Sequence, residues 1–286
     1  MADAQGMVEG PEEAGPWYEW GPYLSERAWG SVREDYSDNG DAWSSFPYEH
    51  ALSRSYRWSE DGLAGISDIW QDLCFGLAFW NGRDSHLKER LYGLSGHQGN
   101  HGEDVKEYYW YRDATPSHSW LRWRYRYPQA AFPYEDLIET NAQRDRSQPE
   151  YELMDTGVFD EDRYWNIDVD YAKADPTDIY IRIRITNAGP EADTIHVLPQ
   201  LWFRDTWSWG RRHRRPEVRH VSRPNGSGTI VAEHWRAGLY HLDAASGPNG
   251  HPTALFCENA SNNPALWGDA AQATTPFPKD GINDHV

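Results

Sequence analysis

Cysteine, basic charge and long apolar runs are what this sequence has least of. Only two cysteines, Cys74 and Cys257, occur in 286 residues. Their wide separation excludes a zinc-type ligand pair and argues against a disulfide framework. No apolar run reaches the roughly 18 residues that a membrane-spanning helix needs. The opening stretch, Met1 to Pro16, is acidic and lacks an apolar h-region, so it does not read as a secretion signal. A cytoplasmic protein is the default expectation. Neither a Gly-x-Gly-x-x-Gly nor a Gly-Lys-Ser/Thr element occurs, which removes the usual dinucleotide and P-loop sites, and no cofactor is expected. Basic residues number 27 against 45 acidic ones, a net charge of −18. That balance opposes general nucleic-acid binding and docking on an anionic membrane.

What is abundant is aromatic. The chain holds 16 Trp and 17 Tyr at a mean hydropathy of −0.86. Disordered chains are poor in rings, so this is a folded protein whose apolar surface comes with polar handles. Residues 1–16 read as a disordered lead, and 17–286 as one large domain. Between Trp17 and Gly65 the sequence shows dense charge and rings but little period, as in a long surface segment pinned by aromatic anchors.

Strands follow. Leu73 to Trp80 is a continuous apolar run of strand length, and Val105 to Tyr111 reads as another. Leu121, Trp123, Tyr125 and Tyr127 alternate with Arg122, Arg124 and Arg126, placing rings on one face and arginines on the other. Tyr134 to about Arg144 is the best helix, with Leu137 and Ile138 inward. Trp165, Ile167, Val169 and Tyr171 alternate with Asn166, Asp168 and Asp170. A turn at Asp175-Pro-Thr-Asp178 leads to Ile179, Ile181, Ile183 and Ile185, alternating with Tyr180, Arg182, Arg184 and Thr186. Paired as an antiparallel hairpin, these strands set an acidic row against a basic one, at about 0.2–1 kcal/mol per cross-strand pair. Thr194 to Phe203 gives a further strand, with shorter ones at 228–235, 237–243 and 253–258. Many strands and one helix predict a mainly β, large antiparallel sandwich.

Candidate chemistry is concentrated in Trp20-Gly-Pro-Tyr-Leu-Ser-Glu-Arg-Ala-Trp-Gly-Ser-Val-Arg-Glu-Asp-Tyr36. Here Glu26, Arg27, Arg33, Glu34 and Asp35 sit among rings that include Trp20 and Trp29. Aromatic faces stack on the C–H face of a pyranose while carboxylates and guanidinium forks hold its hydroxyls, so this mixture suits a sugar site; Trp207 and Trp209 are further candidates. The competing reading is an Arg–carboxylate network that pins an irregular segment, and it is favoured on residues alone. Paired carboxylates at Glu34-Asp35, Glu60-Asp61, Glu103-Asp104, Glu135-Asp136 and Glu161-Asp162 are weak catalytic signals. A glycosidase needs its two carboxyls across the scissile bond, and strand neighbours point to opposite faces. His97, His101, Glu103 and Asp104 lie among glycines and read as a polar loop, with no metal expected. Arg211-Arg-His-Arg-Arg215, with Arg219 and Arg223, forms a basic island that reads as a solvated loop.

Several composite motifs resemble glycoside hydrolase family 63, the bacterial glucosidase-like members in particular. They are Trp20–Arg27, Trp29–Ser37, Tyr56-Arg-Trp-Ser-Glu-Asp-Gly62, Gly99-Asn-His-Gly-Glu-Asp-Val-Lys-Glu-Tyr-Tyr109, Leu153-Met-Asp-Thr-Gly-Val-Phe-Asp160, Leu201-Trp-Phe-Arg-Asp-Thr-Trp-Ser-Trp-Gly210, Phe256-Cys-Glu-Asn259 and Lys279-Asp-Gly-Ile-Asn283. The resemblance runs from about Trp17 to Val286. It implies an N-terminal super-β-sandwich joined, in complete members, to an (α/α)6 barrel that carries the acid and base of an inverting mechanism. It therefore assigns no catalytic residue to this chain, which is expected to be the front part of such an enzyme, inactive alone. An oligosaccharide or glycoside substrate and a barrel are the implied partners. Two other readings stand beside it: a free-standing carbohydrate-binding module, and an assembly subunit for a separately encoded barrel.

Overall fold

The computed structural model describes residues 15–24, 46–57, 61–94, 97–99, 105–209, 214–224 and 227–286; the side chain of Trp209 also lies outside the description. The fold is mainly β, built from antiparallel sheets with few helices, as the alternation predicts. It divides into two compact units. The first holds the described parts of Met1–Ala51, Trp58–Gln71 and Phe75–Gln200, and the second those of Leu52–Arg57, Asp72–Cys74 and Leu201–Val286.

In the first unit, β1 (Trp20–Gly21) pairs antiparallel with β2 (Leu63–Asp68), and β2 neighbours β3 (Leu73–Trp80) from Phe75 onward. β2 is buried at every position. Its residues fall where the sequence reads as irregular, because a short strand buried on both faces has no alternation to reveal it. The larger sheet runs in the order β4 (Tyr108–Ala114), β5 (Trp120–Pro128), β6 (Tyr164–Asp175) and β7 (Asp178–Asn187). Its inner face carries Trp123, Tyr125, Tyr127, Trp165, Ile167, Val169 and Tyr171, none more than 4% exposed. Tyr171 reaches across to the smaller sheet, donating its hydroxyl to the Ala64 carbonyl at 2.5 Å and meeting Phe75 edge-on.

The hairpin β6–β7 forms and sets an acidic row against a basic one, as expected. Asp168 faces Arg184, Asp170 faces Arg182, and Asp175 faces Asp178 across a turn whose Pro176 presets the backbone. β4 begins three residues later than the predicted strand. Val105 makes only one bridge, to Gly93, and the next two side chains go to buried ion pairs, Lys106 with Glu150 and Lys88 with Glu107. The helix α1 (Tyr134–Gln143) forms where expected and puts Leu137, fully buried, into a cluster with Phe46, Tyr92, Leu94, Phe132, Leu153 and Phe159. Asn141 fixes its end: its amide donates to the Leu137 and Tyr151 carbonyls and its oxygen accepts from the Tyr151 N–H.

The end of β8 (His196–Phe203) leads into the second unit, whose sheet is β9 (Glu217–Ser222), β10 (Gly228–His234) and β11 (Gly238–Asp243) in the order β11-β10-β9. β10 and β11 match the short strands expected; β9 was not foreseen, its residues lying in the basic island's tail. The strand expected at 253–258 is absent, and Leu255 and Phe256 are 41% and 50% exposed there. The short helix α2 (Asn263–Trp267) follows, its first turn capped by the Asn262 side chain. Cys74 and Cys257 are not joined.

Segments far apart in sequence meet around Leu52–Arg57. Asn259 accepts from the Tyr56 N–H at 2.6 Å and donates to the Tyr56 and Phe203 carbonyls at 2.7 and 2.9 Å. Lys279 donates to the Leu52 carbonyl, and Asp280 accepts from Ser53 and Asn262. Asp205 accepts from Ser55 and Arg57. Truncating Asn259 to Ala removes its bonds to the Tyr56 N–H and to the Phe203 carbonyl, while the Tyr56 carbonyl keeps the Asp205 N–H, so Asn259→Ala is expected to cost about 1–3 kcal/mol in urea unfolding. Phe277→Ser, at a ring 66% exposed, should change stability by no more than about 0.5 kcal/mol.

Candidate functional site

The residues singled out by sequence are dispersed. Glu26, Arg27, Trp29, Arg33, Glu34 and Asp35 lie outside the described residues. Trp20 is 4% exposed and packed as a core ring in β1. Its carbonyl and that of Trp17 each accept from Lys173 Nζ at 2.5 Å, and burial lowers the Lys173 ammonium to about pKa 8 against the opposing pull of Glu19. Trp207 opens a single 3-10 turn ending at Trp209, and the Arg215 guanidinium lies 5.1 Å from its ring centre while pairing with Glu258. The described arginines of the basic island are matched by acids, Arg214 by Glu233, Arg219 by Glu217 and Arg223 by Asp243.

The carboxylate pairs serve structure where they are described. Asp61 accepts from Arg90 Nε at 2.6 Å, and Arg90, 1% exposed, also donates to the Ala51 carbonyl. Glu135 and Asp136 occupy the first turn of α1, where the helix dipole favours negative charge. Glu161 pairs with Arg163, and Asp162 accepts from the Tyr164 hydroxyl. Glu107 accepts from Lys88 Nζ at 2.7 Å and the Tyr125 hydroxyl at 2.5 Å, and Asp84 accepts from the Tyr127 hydroxyl and the Phe132 N–H. Burial pushes both tyrosines well above their usual range. Burial is the largest single influence and lowers Lys88, but Glu107, Tyr48 and Asp84 together outweigh it and the net direction is up. Among the described residues no group of three or more His, Cys, Asp or Glu side chains could hold a metal ion.

Chemistry suited to a ligand gathers on the outer face of the β4–β7 sheet. Cross-strand register places Arg122 and Arg182 on either side of Asp170, and Arg124 and Arg184 on either side of Asp168. Asp170 accepts from Arg122 Nε at 2.6 Å and from Arg182 at 2.8 and 3.1 Å. Asp168 takes a bidentate fork from Arg124 at 2.7 and 2.8 Å. The aspartates were expected as an outward row; instead they are 7% and 5% exposed, roofed by the arginines that flank them. Arg124's hydrogen bonds lower Asp168 below the usual carboxylate range. For Asp170 burial acts upward, and the bonds from Arg122 and Arg182 more than reverse it.

Rings frame these charges. Trp120 and Tyr180 pair with Ala172 from opposite sides, and Trp110 pairs with Arg124. Guanidinium groups lie over several of them, Arg122 at 5.0 Å from the Trp120 ring and Arg126 at 4.5 Å from Tyr164. Tyr180 is 65% exposed and Trp110 38%. The alternation already put Tyr180 and the arginines of β7 on one face; what it cannot show is that β5 lies beside β6, which brings Trp120 and Arg122 alongside them.

The uncharacterized protein YMR196W of Saccharomyces cerevisiae is 38% identical to this chain over 297 residues, covering 94% of the chain and 27% of the yeast protein. The chain thus spans about a quarter of that relative's length. No family model and no solved structure matches. Among the described residues no helix is long and apolar enough to cross a membrane.

The aspartate row gives a pH signature. The folded carboxylates titrate below the unfolded value near 3.9, so their contribution is full above about pH 4 and is lost as pH falls through the depressed folded values. Asp170→Asn should therefore unfold at lower urea than the parent at pH 7, with the gap narrowing as pH drops below about 4. A gap that is constant with pH would show that Asp170 titrates alike in both states.

Proposed function

We propose that this chain is the N-terminal β-sandwich part of an α-glucosidase-like glycoside hydrolase of family 63, acting in carbohydrate metabolism in the cytoplasm. In this reading it supports a catalytic (α/α)6 barrel, edges the substrate cleft, and supplies neither the catalytic acid nor the base. One observation carries the reading. Four of the family-like motifs, separated by up to two hundred residues, supply the hydrogen bonds that close around Leu52–Arg57: Tyr56 and Arg57, Asp205, Asn259, and Lys279 with Asp280. Residues held in that way are what a shared fold demands, which gives the resemblance a physical basis.

Two further features agree. The matched yeast relative is nearly four times as long as the segment it shares, which leaves room for a barrel-sized domain. The second unit also exposes Trp235, Leu239, Phe256, Trp267 and Phe277, each at least half accessible. Such apolar exposure marks a surface that a neighbouring domain covers.

A second reading, a carbohydrate-binding module that works alone, is favoured by the aromatic and arginine face of the β4–β7 sheet. The first reading is tested by what the purified chain does. As a supporting part it releases no glucose from p-nitrophenyl α-glucoside or α-gluco-oligosaccharides. Release above buffer, proportional to protein and retained after further purification, would overturn the claim that the acid and base lie elsewhere.

A further inference from the structure

The β4–β7 sheet has two edges, and they are built differently. At β4 the ladder breaks register between Tyr111 and Asp113, beside the charged pair Arg112 and Asp113. Bulges and charges of that kind blunt an edge against further pairing. At β7 the ladder with β6 runs without interruption from Ile179 to Asn187, and the strand contains no Pro, Gly or Lys. No backbone hydrogen bond leaves the outer edge of β7 for any described residue. Its inward row, Ile179, Ile181, Ile183 and Ile185, is half-buried, whereas Ile167, Val169 and Tyr171 on β6 are at most 3% exposed. Partly wet apolar side chains and unpaired backbone along one strand are the combination that accepts another strand.

Two side chains on the outer row of β7 are also short of partners. No hydrogen bond or ion pair reaches Asp178 among the described residues, and its cross-strand neighbour is another acid, Asp175. Arg184 comes no closer than 4.0 Å to Asp170 and makes no hydrogen bond among the described residues, with its side chain half exposed. A second copy of the same strand answers both. Opposed residues of an antiparallel pair share a face, so two-fold pairing of β7 with itself must set isoleucine against isoleucine. When Ile181 faces its own counterpart, Ile179 faces Ile183, Tyr180 faces Arg182 and Asp178 faces Arg184, each contact made twice. Opposite charges, and a ring beside a guanidinium, then lie at cross-strand distance. Centring the pair on Arg182 sets that arginine against itself, and centring it on Ile183 sets Arg182 against Arg184. Centring it on Tyr180 shortens the paired stretch from Asp178–Arg184 to Asp178–Arg182.

We propose that β7 pairs antiparallel with β7 of a second copy of this chain, centred on Ile181, so that two main sheets join into one across a two-fold axis. The pairing goes beyond the glycosidase reading and does not depend on it.

Sedimentation velocity of the purified chain over a concentration series tests this. Twice the chain mass of 33.0 kDa is expected at about 100 µM, falling to the single mass on dilution. Asp178→Arg sets an arginine against Arg184, and Arg184→Glu sets a glutamate against Asp178, so each alone should weaken self-association at least about tenfold. Mixed in equal amounts, the two variants carry opposite charges at both facing positions, and the dimer should return. Asp178→Arg lies opposite Asp175 within its own chain, so its thermal midpoint should not fall, which separates lost pairing from lost folding. A chain that keeps the single mass at about 100 µM overturns the proposal. A dimer that both variants leave unchanged, or that the mixture does not restore, overturns it as well, because the contact then lies on another surface or in another register. Growth beyond two copies overturns the two-fold closure.

Discussion

The carboxylates of Asp168 and Asp170 lie nearly buried on β6 of the first unit's main sheet, Asp170 held from both sides by Arg122 and Arg182 and Asp168 by the Arg124 fork. Much else follows from that arrangement. A one-residue slip of β6 against β5 and β7 would carry Trp165, Ile167, Val169 and Tyr171 out of the core and the aspartates into it. Two unpaired carboxylates there would cost far more than the ladder contributes. The ladder thus acts less as a source of net stability than as a penalty on every wrong register. It also holds the guanidinium groups of Arg122, Arg124 and Arg182 in fixed places on the outer surface.

The second unit solves a different problem by the same chemistry. The segment Leu52–Arg57 has no strand partner, so its backbone groups need other company. Asn259 supplies it for Tyr56, Lys279 for Leu52, and the Ser261 hydroxyl for the Ser55 N–H. Their role in the structure is to tie one stretch of the chain to another.

Much of the first unit was legible in sequence because its strands alternate. The facing acidic and basic rows of the β6–β7 hairpin could be read from sequence, as could the helix around Leu137. What alternation could not show was burial on the second face: Asp168 and Asp170 look like solvent residues until Arg122 and Arg124, forty-odd positions away, are seen to cover them. β2 and the residues around Val105 were misjudged for a related reason, since wholly buried strands and buried ion pairs carry no period. Of the nine candidate site residues, six lie outside the described residues, and Trp20, a platform by its neighbours in sequence, is a core ring. The face of rings and arginines on the main sheet is assembled by pairing distant strands, so no single segment announces it.

The register of the main sheet depends on whether the aspartate row holds its arginines. Arginine Nε–H exchange with solvent, followed by nuclear resonance in the free protein, measures this directly. The Nε–H protons of Arg122, Arg124 and Arg182, each bonded to Asp168 or Asp170, should exchange markedly more slowly than that of Arg184, which has no such bond. Four arginines exchanging at one rate would mean that the ladder is not formed in solution, and the claim that it sets the face would fall.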